Sequence, residues 1–370
     1  MIGLCLSDPH PDHAGDGNST RTLSAAHYAG RYRIVDFMLS NMVNSKIFTI
    51  GMILNSHYQS LIRHIGMGKE WDLARKTGGV TFFPPYLADE RRSVNSELDG
   101  PLHRAAEFLS ESQPEYIVLA DSSIIYNMDY RKAVEAHKKS SADITAIYTK
   151  KRITPGEREN TVAFSIADDG RINKIGLAPP NADIINVSLG AYIMHKRHFI
   201  SLTAGEKNCG MLRFSRVLLS AALERLNVVP YEFKGYSAHI CSVETFFHYN
   251  LDILDIDNRN SLFDFEGRQI FTNRRDSLPT RYGKKADIKN SLIADGCRID
   301  GTVIGSTICR NVKIGKGAVI KNCVLQDGTV VENNALLDCI ITDTSVVISE
   351  NRSMMGYRTY PVYIERGRVI

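Results

Sequence analysis

The side chains able to do chemistry in this sequence exclude more than they assign. The eleven histidines are His10, His13, His27, His57, His64, His103, His137, His195, His198, His239 and His248. None recurs at the ligand spacing of a zinc hydrolase. His195 and His198 flank Lys196 and Arg197 and read as a solvated loop or helix start. The seven cysteines, Cys5, Cys209, Cys241, Cys297, Cys309, Cys323 and Cys339, form no CxxC pair, so neither a zinc site nor a redox motif is indicated. Four of them lie in a C-terminal repeat, where a small apolar side chain suits tight packing, and a reducing cytoplasm fits this usage. Gly15 and Gly17 are too sparse to cradle a phosphate and read as a turn.

Composition narrows the field further. Hydrophobic residues make up 43% and charged residues 23% of 370, as in an ordinary globular protein of about two domains. A formal charge of +4 from 45 basic and 41 acidic residues argues against nucleic acid as a partner. The runs Lys150-Lys151-Arg152 and Arg274-Arg275 are short and read as solvated surface. The start, MIGLCLSDPHPDH, has no basic region and turns polar early, so it is expected to be neither a signal peptide nor an anchor. No apolar run reaches the length of a membrane span.

These residues must be positioned by an α/β framework. Strands are expected at Ile2–Leu6, Thr49–Leu54, Tyr116–Leu119, Ile144–Tyr148 and Val228–Phe233. Helices are expected at Tyr58–His64, Leu102–Ser110, Asp129–Lys139, Leu212–Leu226 and Val243–Leu254. The alternation argues for a layered domain with a mostly parallel sheet over residues 1–254. In Leu212–Leu226 the apolar set Leu212, Val217, Leu218, Ala221, Ala222 and Leu226 is expected to face the core. Residues 255–287 lack periodicity and read as a linker.

From residue 288 the pattern changes. Val312, Ala318, Val324, Val330 and Leu336 stand six residues apart, with glycines interleaved. This resembles hexapeptide repeats, which fold as a left-handed parallel β-helix; residues 288–370 are expected to form one, and the tail to supply its closing strands. Such coils commonly mediate assembly, so an oligomer is expected.

Residues 29–45 read AGRYRIVDFMLSNMVNS. Further segments are SHYQSLIRHIGMGKEW at 56–71, YNMDY at 126–130, VSLGAYIM at 187–194, and a stretch at 235–254 that keeps GY, VE and NLDIL. Together, in this order, they resemble the ADP-glucose pyrophosphorylases, whose signature is GGKYRIIDFxLSNxxNS. The resemblance spans nearly the whole chain. It implies a Rossmann-like nucleotidyltransferase domain ahead of the β-helix, and transfer of an adenylyl group from ATP to glucose 1-phosphate. That reaction needs backbone N–H groups around the triphosphate, cations, a carboxylate pair for Mg²⁺ and a sugar clamp.

Against that family, every chemical station departs. The family's LAGGxGxRL corresponds to LCLSDPHPDHAGDGNSTRTL, without the packed glycines that let a backbone approach a phosphate. The lysine of its RAKPAV falls on Leu23. Its GTADAV aligns with residues 100–105, where only Gly100 survives. The first metal aspartate falls on Ser123, and Asp121, two residues earlier, is the remaining catalytic candidate. The glutamate and lysine of FxEKP fall on Leu177 and Ala178. The second metal carboxylate falls on His239, a poor ligand for Mg²⁺. Loss at every station resembles the non-catalytic partner subunit of the bacterial enzyme.

The resemblance also implies an effector site. Arg21, His27 and Arg33 match positions that line it in some family members, and such groups suit a sugar phosphate or nucleotide phosphate. The expectation is therefore a regulatory subunit of glucose-1-phosphate adenylyltransferase in glycogen biosynthesis. It would need no cofactor and would assemble with the catalytic subunit as a hetero-tetramer, or with itself as a homo-oligomer. The alternative is an active enzyme with displaced groups, using Mg²⁺ and Asp121. An acyltransferase working through the β-helix is disfavoured, because no histidine occurs from residue 288 onward.

Overall fold

A computed structural model describes residues 1–6, 21–85, 100–153, 155–179, 184–206 and 209–370. The segment 7–20, which carries the altered glycine loop, Gly15, Gly17, His10 and His13, lies outside the described residues. The chain forms two compact units: residues 1–25, 34–241 and 265–271 make the first; 26–33, 242–264 and 272–370 make the second.

The first unit is built on a nine-stranded sheet. At its centre Ile2–Leu6 reads IGLCL and is buried along its whole length, as a strand covered on both faces must be. It pairs in parallel with Thr49–Ile53 on one side and Tyr116–Asp121 on the other. Gly79–Phe83 continues the parallel run. The long strand Ile185–His195 pairs antiparallel with Tyr116–Asp121 and with Ile144–Lys151. Val228–Glu232 is parallel to Ile144–Lys151. The hairpin Val162–Ile166 and Ile172–Leu177 attaches to Ile185–His195. All five expected strands form, within a residue or a few at each end.

Helix Ile34–Asn44 covers one face of this sheet and buries all but its last residue. Its polar side chains hold backbone rather than solvent. The Ser40 hydroxyl accepts from Phe271 N at 2.9 Å. Asn41 donates to Tyr126 O at 2.9 Å and accepts from Met128 N at 3.0 Å. The hydroxyl of Ser45, just past the helix, accepts from Tyr130 N at 2.8 Å. Asp36, fully buried, meets His64 Nε2 at 2.6 Å. The 29–45 motif is thus largely a set of structural clamps.

Leu212–Leu226 departs from the expected helix. Met211–Arg213 is α-helical, Phe214–Leu219 is a π turn and Ser220–Ala222 is α-helical again. A π turn holds an extra residue and rotates the apolar face. Phe214 and Leu219 are therefore buried, whereas Val217 is 47% exposed.

The second unit contains three parallel five-stranded sheets stacked rung on rung, a left-handed β-helix. Residues 255–287 are not simply a linker. Asp255 caps helix Ile256–Phe263 by accepting from Asp257 N at 2.9 Å and Asn258 N at 3.2 Å. Arg281–Tyr282 already pairs with Arg298–Ile299, so the coil begins before residue 288. The tail closes it, with strands Ser353–Met355 and Val362–Ile364.

The six-residue phase is corrected as well. Val324 pairs with Ile341 and Val319 with Leu336, seventeen residues on in each case, whereas Asp287 pairs with Thr302 and Leu292 with Thr307, fifteen residues on, so the regular coils have seventeen or fifteen residues and not eighteen. In a seventeen-residue coil the three turns together are one residue short of eighteen, and the inward phase of a strict six-residue repeat slips there. Val312, Ala318 and Val324 are fully buried, but Leu336 is 46% exposed, and Val331 and Leu337 take the interior places instead.

Candidate functional site

In open α/β sheets, ligands bind beyond the carboxyl ends of the parallel strands. Here that place is the end of Tyr116–Asp121, where Asp121 pairs with Leu6. Asp121 is buried, and its Oδ1 accepts from both Ser123 N and Ser123 Oγ, each at 2.7 Å. Burial pushes its carboxyl up to about 6, against the lowering effect of the two Ser123 hydrogen bonds. Gly190 makes room for it: φ is +58°, and a Cβ there would lie 2.6 Å from the Asp121 Cβ. Burial also pushes the neighbouring Cys5 thiol up to about 12, which keeps it a packing residue.

Ser123 leads directly into strand Ile124–Tyr126, which pairs with Ser237–His239 so that His239 stands opposite Ile124. Ser123 and His239, the two positions the resemblance matches to metal carboxylates, thus lie at neighbouring places at one end of this two-strand ladder, one with a hydroxyl and one with an imidazole. Burial lowers His239 to about 4, with help from the Lys151 charge, so the ring is neutral at physiological pH. Its Nδ1 lies 3.2 Å from Thr161 Oγ1. The Thr161 carbonyl in turn accepts from Ala178 N at 3.0 Å. Ala178 sits in an apolar cluster with Ile153, Ala163, Ile185 and Val187, while Leu177 is 39% exposed. Nearby in sequence, Lys151 Nζ bonds the fully buried Glu157 at 2.8 Å.

The nucleotide side is also built for packing. Leu23 lies in the short 3₁₀ helix Leu23–Ala25, and Ser24 Oγ contacts Ser122 Oγ at 2.6 Å. Pro101 opens helix Pro101–Glu111, and Arg104 on it donates to the Pro84 carbonyl. Mg²⁺ does not fit the donors at this strand end. A hydroxyl and a neutral imidazole replace its hard carboxylates, and one oxygen of Asp121 is already occupied by Ser123. No step through a metal follows from this arrangement. Among the described residues no group of three or more His, Cys, Asp and Glu side chains is placed to hold a metal ion.

The three expected effector residues divide between the units: Arg21 falls in the first, His27 and Arg33 in the second. His27 and Arg33 face each other across a two-strand ladder. His27 is only 5% exposed; its Nδ1 lies 3.3 Å from Gln326 Oε1 and its Nε2 3.2 Å from Asp327 Oδ2. Burial acts to raise Asp327, but the hydrogen bond and charge of His27 and the charge of Arg275 hold it below the usual carboxylate range. Arg275 reaches the same oxygen at 3.2 Å.

With this geometry in view, the comparisons with known proteins are direct. The nucleotidyl transferase family model matches residues 20–255, and the GlmU-like C-terminal hexapeptide model matches residues 278–358. The chain belongs to the nucleotidyl transferase family, alongside the glucose-1-phosphate adenylyltransferases and GlgD. It is 30% identical over 370 residues to the glycogen biosynthesis protein GlgD of Bacillus subtilis (strain 168), covering 96% of that protein. It is 31% identical over 326 residues to the glucose-1-phosphate adenylyltransferase of Clostridium botulinum (strain Eklund 17B / Type B), covering 87% of this chain and 83% of that one. The corresponding enzyme of Thermosipho africanus (strain TCF52B) is 28% identical over 323 residues.

Within this nucleotidyl transferase family member, sequence reasoning missed several side chains around Asp121 and His239. The pairing of Lys151 with Glu157, six residues on, matched no motif, and Thr161 carried none because its partner His239 lies on another strand. Gln326 and Asp327 were missed for the same reason: they sit almost three hundred residues from His27.

Proposed function

We propose that this chain is a regulatory subunit of glucose-1-phosphate adenylyltransferase, non-catalytic or very weakly active, serving glycogen biosynthesis. It would assemble with a catalytic subunit that makes ADP-glucose from ATP and glucose 1-phosphate, and bias that subunit's activity through their shared interfaces. One observation carries the reading: at the strand end where the chemistry belongs, the polar groups satisfy one another instead of facing a ligand. Ser123 bonds Asp121, and His239 bonds Thr161. A cytoplasmic setting accords with this role; among the described residues no helix is long and apolar enough to cross a membrane.

The role requires no cofactor, and Mg²⁺ would matter only to residual activity through Asp121. A phosphorylated effector acting at Arg21, His27 and Arg33 belongs to the same proposal. The test is pyrophosphate release from ATP and glucose 1-phosphate, measured for the purified chain alone and after co-expression with the catalytic subunit. Silence alone with altered activity or effector response in the complex supports the proposal. Robust Mg²⁺-dependent activity of the chain alone, lost in Asp121→Asn, would establish an active enzyme with displaced groups.

A further inference from the structure

The second unit contains a cleft of about 830 Å³ that nothing in the proposed function uses. Its rear wall is one corner of the β-helix, where Asn290, Gly305 and Asn322 occupy equivalent positions on three successive coils. All three adopt positive φ, at 41°, 57° and 46°. The two asparagine positions are therefore two rungs apart, roughly 10 Å at the usual strand spacing, and Gly305 between them leaves a shallow notch that Asn322 Oδ1 borders: a Cβ there would come within 3.2 Å of it. The front wall comes from the end of helix Val243–Asp252 and from helix Ile256–Phe263, which contribute Asp252, Asp255 and Arg259. Phe247, Leu251 and Ile304 give the cleft an apolar portion.

Beside it the coil carries an insertion. Ile341 pairs with Tyr363, twenty-two residues on rather than seventeen. The extra residues form a small turn in which Tyr357 and Tyr360 exchange backbone hydrogen bonds at 3.1 and 3.0 Å. The turn is fixed at its base by Gly356 N on Asp338 O at 2.9 Å and Val362 N on Cys339 O at 3.2 Å. It holds Arg358 into the cleft, where the guanidinium donates to Asn322 Oδ1 at 3.1 Å. Tyr357 and Tyr360 are left 71% and 79% exposed. Both rings flank Arg358 on an anchored turn and are open to a ligand that reaches beyond the cleft.

The lining chooses among ligands by charge. Besides His248, two arginines are balanced by two aspartates, so an anion would meet Asp252 and Asp255 as well as Arg259 and Arg358. Asn322 is already bonded at both ends, to Arg358 and to Asp338, and Asp255 caps its helix, so the planar groups that would meet vicinal hydroxyls are the Asn290 amide and the Arg259 and Arg358 guanidinium edges. Exposed tyrosine rings suit the apolar face of a pyranose. We infer that this cleft and its tyrosine turn, in the second unit, bind a neutral oligosaccharide. The choice of an α-glucan as first probe rests on the glycogen reading; the sugar site itself does not.

The full-length chain, without its partner, is titrated calorimetrically with maltoheptaose and, in parallel, with cellohexaose. Saturable binding of either is expected. Gly305→Asn should weaken it by about ten-fold, because asparagine tolerates positive φ here, as Asn290 and Asn322 do, and fills the notch. Tyr360→Ala should weaken it by about five-fold, and both variants should melt like the parent. Binding of maltoheptaose but not cellohexaose also favours the glycogen reading; the reverse keeps the sugar site and counts against that link. The inference is overturned if neither sugar saturates at about 20 mM, or if binding survives both substitutions. It is equally overturned if fructose 1,6-bisphosphate occupies the cleft in a Gly305-dependent way, or if Tyr360→Ala dissociates an oligomer without changing sugar affinity.

Discussion

Helix Ile34–Asn44 and the strand end at Asp121 belong to the same unit, yet they have kept different things. In the helix and just past it, the polar residues of the 29–45 motif hold backbone that nothing else can satisfy: Asn41 serves Tyr126 and Met128, and Ser45 serves Tyr130. At the strand end the polar residues serve one another. Loss of the first kind leaves buried donors and acceptors without partners, at about 1–3 kcal/mol each. Loss of the second kind costs folding little, since catalytic groups are placed for a ligand rather than for the core. On the proposed reading, a chain without a catalytic task would keep the clamps while its catalytic positions drift.

The largest expected effect would break that comparison if it failed. His64→Ala leaves the fully buried Asp36 without the ring 2.6 Å away. Breaking such a pair should destabilise the chain by about 3–5 kcal/mol, read from urea unfolding. A loss under about 1 kcal/mol would mean that the motif is not structural.

The β-helix draws the same line between residues that carry structure and residues that merely repeat. Leu337→Ala removes a side chain that is 2% exposed and should cost about 2–4 kcal/mol. Leu336→Ala, at 46% exposure, should cost less than about 1 kcal/mol. Similar losses for the two in thermal unfolding would contradict the seventeen-residue coil.

That pair also marks how far the sequence could be read. The strands and the coil were legible because apolar runs and short repeats are local signals. Ile2–Leu6 needs only its own five residues to announce a buried strand. The phase of the coil was not legible: a run of apolar residues at six-residue steps continues through Val330 and Leu336, and only the pairing shows that the interior has moved to Val331 and Leu337. The π turn at Phe214–Leu219 hid in the same way, since a helical pattern cannot reveal an inserted residue. The departures from the family pattern at Leu23, Ser123, Ala178 and His239 rest on the resemblance alone. What surrounds these residues could not be read, because Thr161 meets His239 across seventy-eight residues.

A smaller effect sharpens the comparison from the side of the old site. Asp121 sits at about 6 against an ordinary 3.8. Its stabilising contribution is complete below the ordinary value and is lost as pH rises through about 6. Asp121→Asn cannot ionise and should therefore gain on the parent by about 2–3 kcal/mol between pH 4 and pH 8. His239, held at about 4 against 6.5, acts in the opposite sense, its contribution being present above the ordinary value and lost as pH falls through about 4. The difference between variant and parent melting curves isolates Asp121, because His239 is common to both. No gain above pH 6 would show that the carboxylate is not strained by burial, and would return it to consideration as a working group.

The smallest effect concerns the effector set, where the two kinds of residue meet on one ladder. His27 is packed against Gln326 and Asp327, so His27→Ala should cost about 1–2 kcal/mol of stability with or without any ligand. Arg33, its partially exposed neighbour across the ladder, should behave differently if it serves a phosphate. Arg33→Ala should change stability by less than about 1 kcal/mol while weakening glucose 6-phosphate or inorganic phosphate about ten-fold, as loss of a charge-assisted contact does. Calorimetry on the complex with the catalytic subunit reads the affinity, and thermal unfolding reads the stability. Equal affinity in Arg33→Ala and the parent would remove the effector reading. His27 would then stand with Asn41 and Asp36, as a polar residue kept because the fold rests on it.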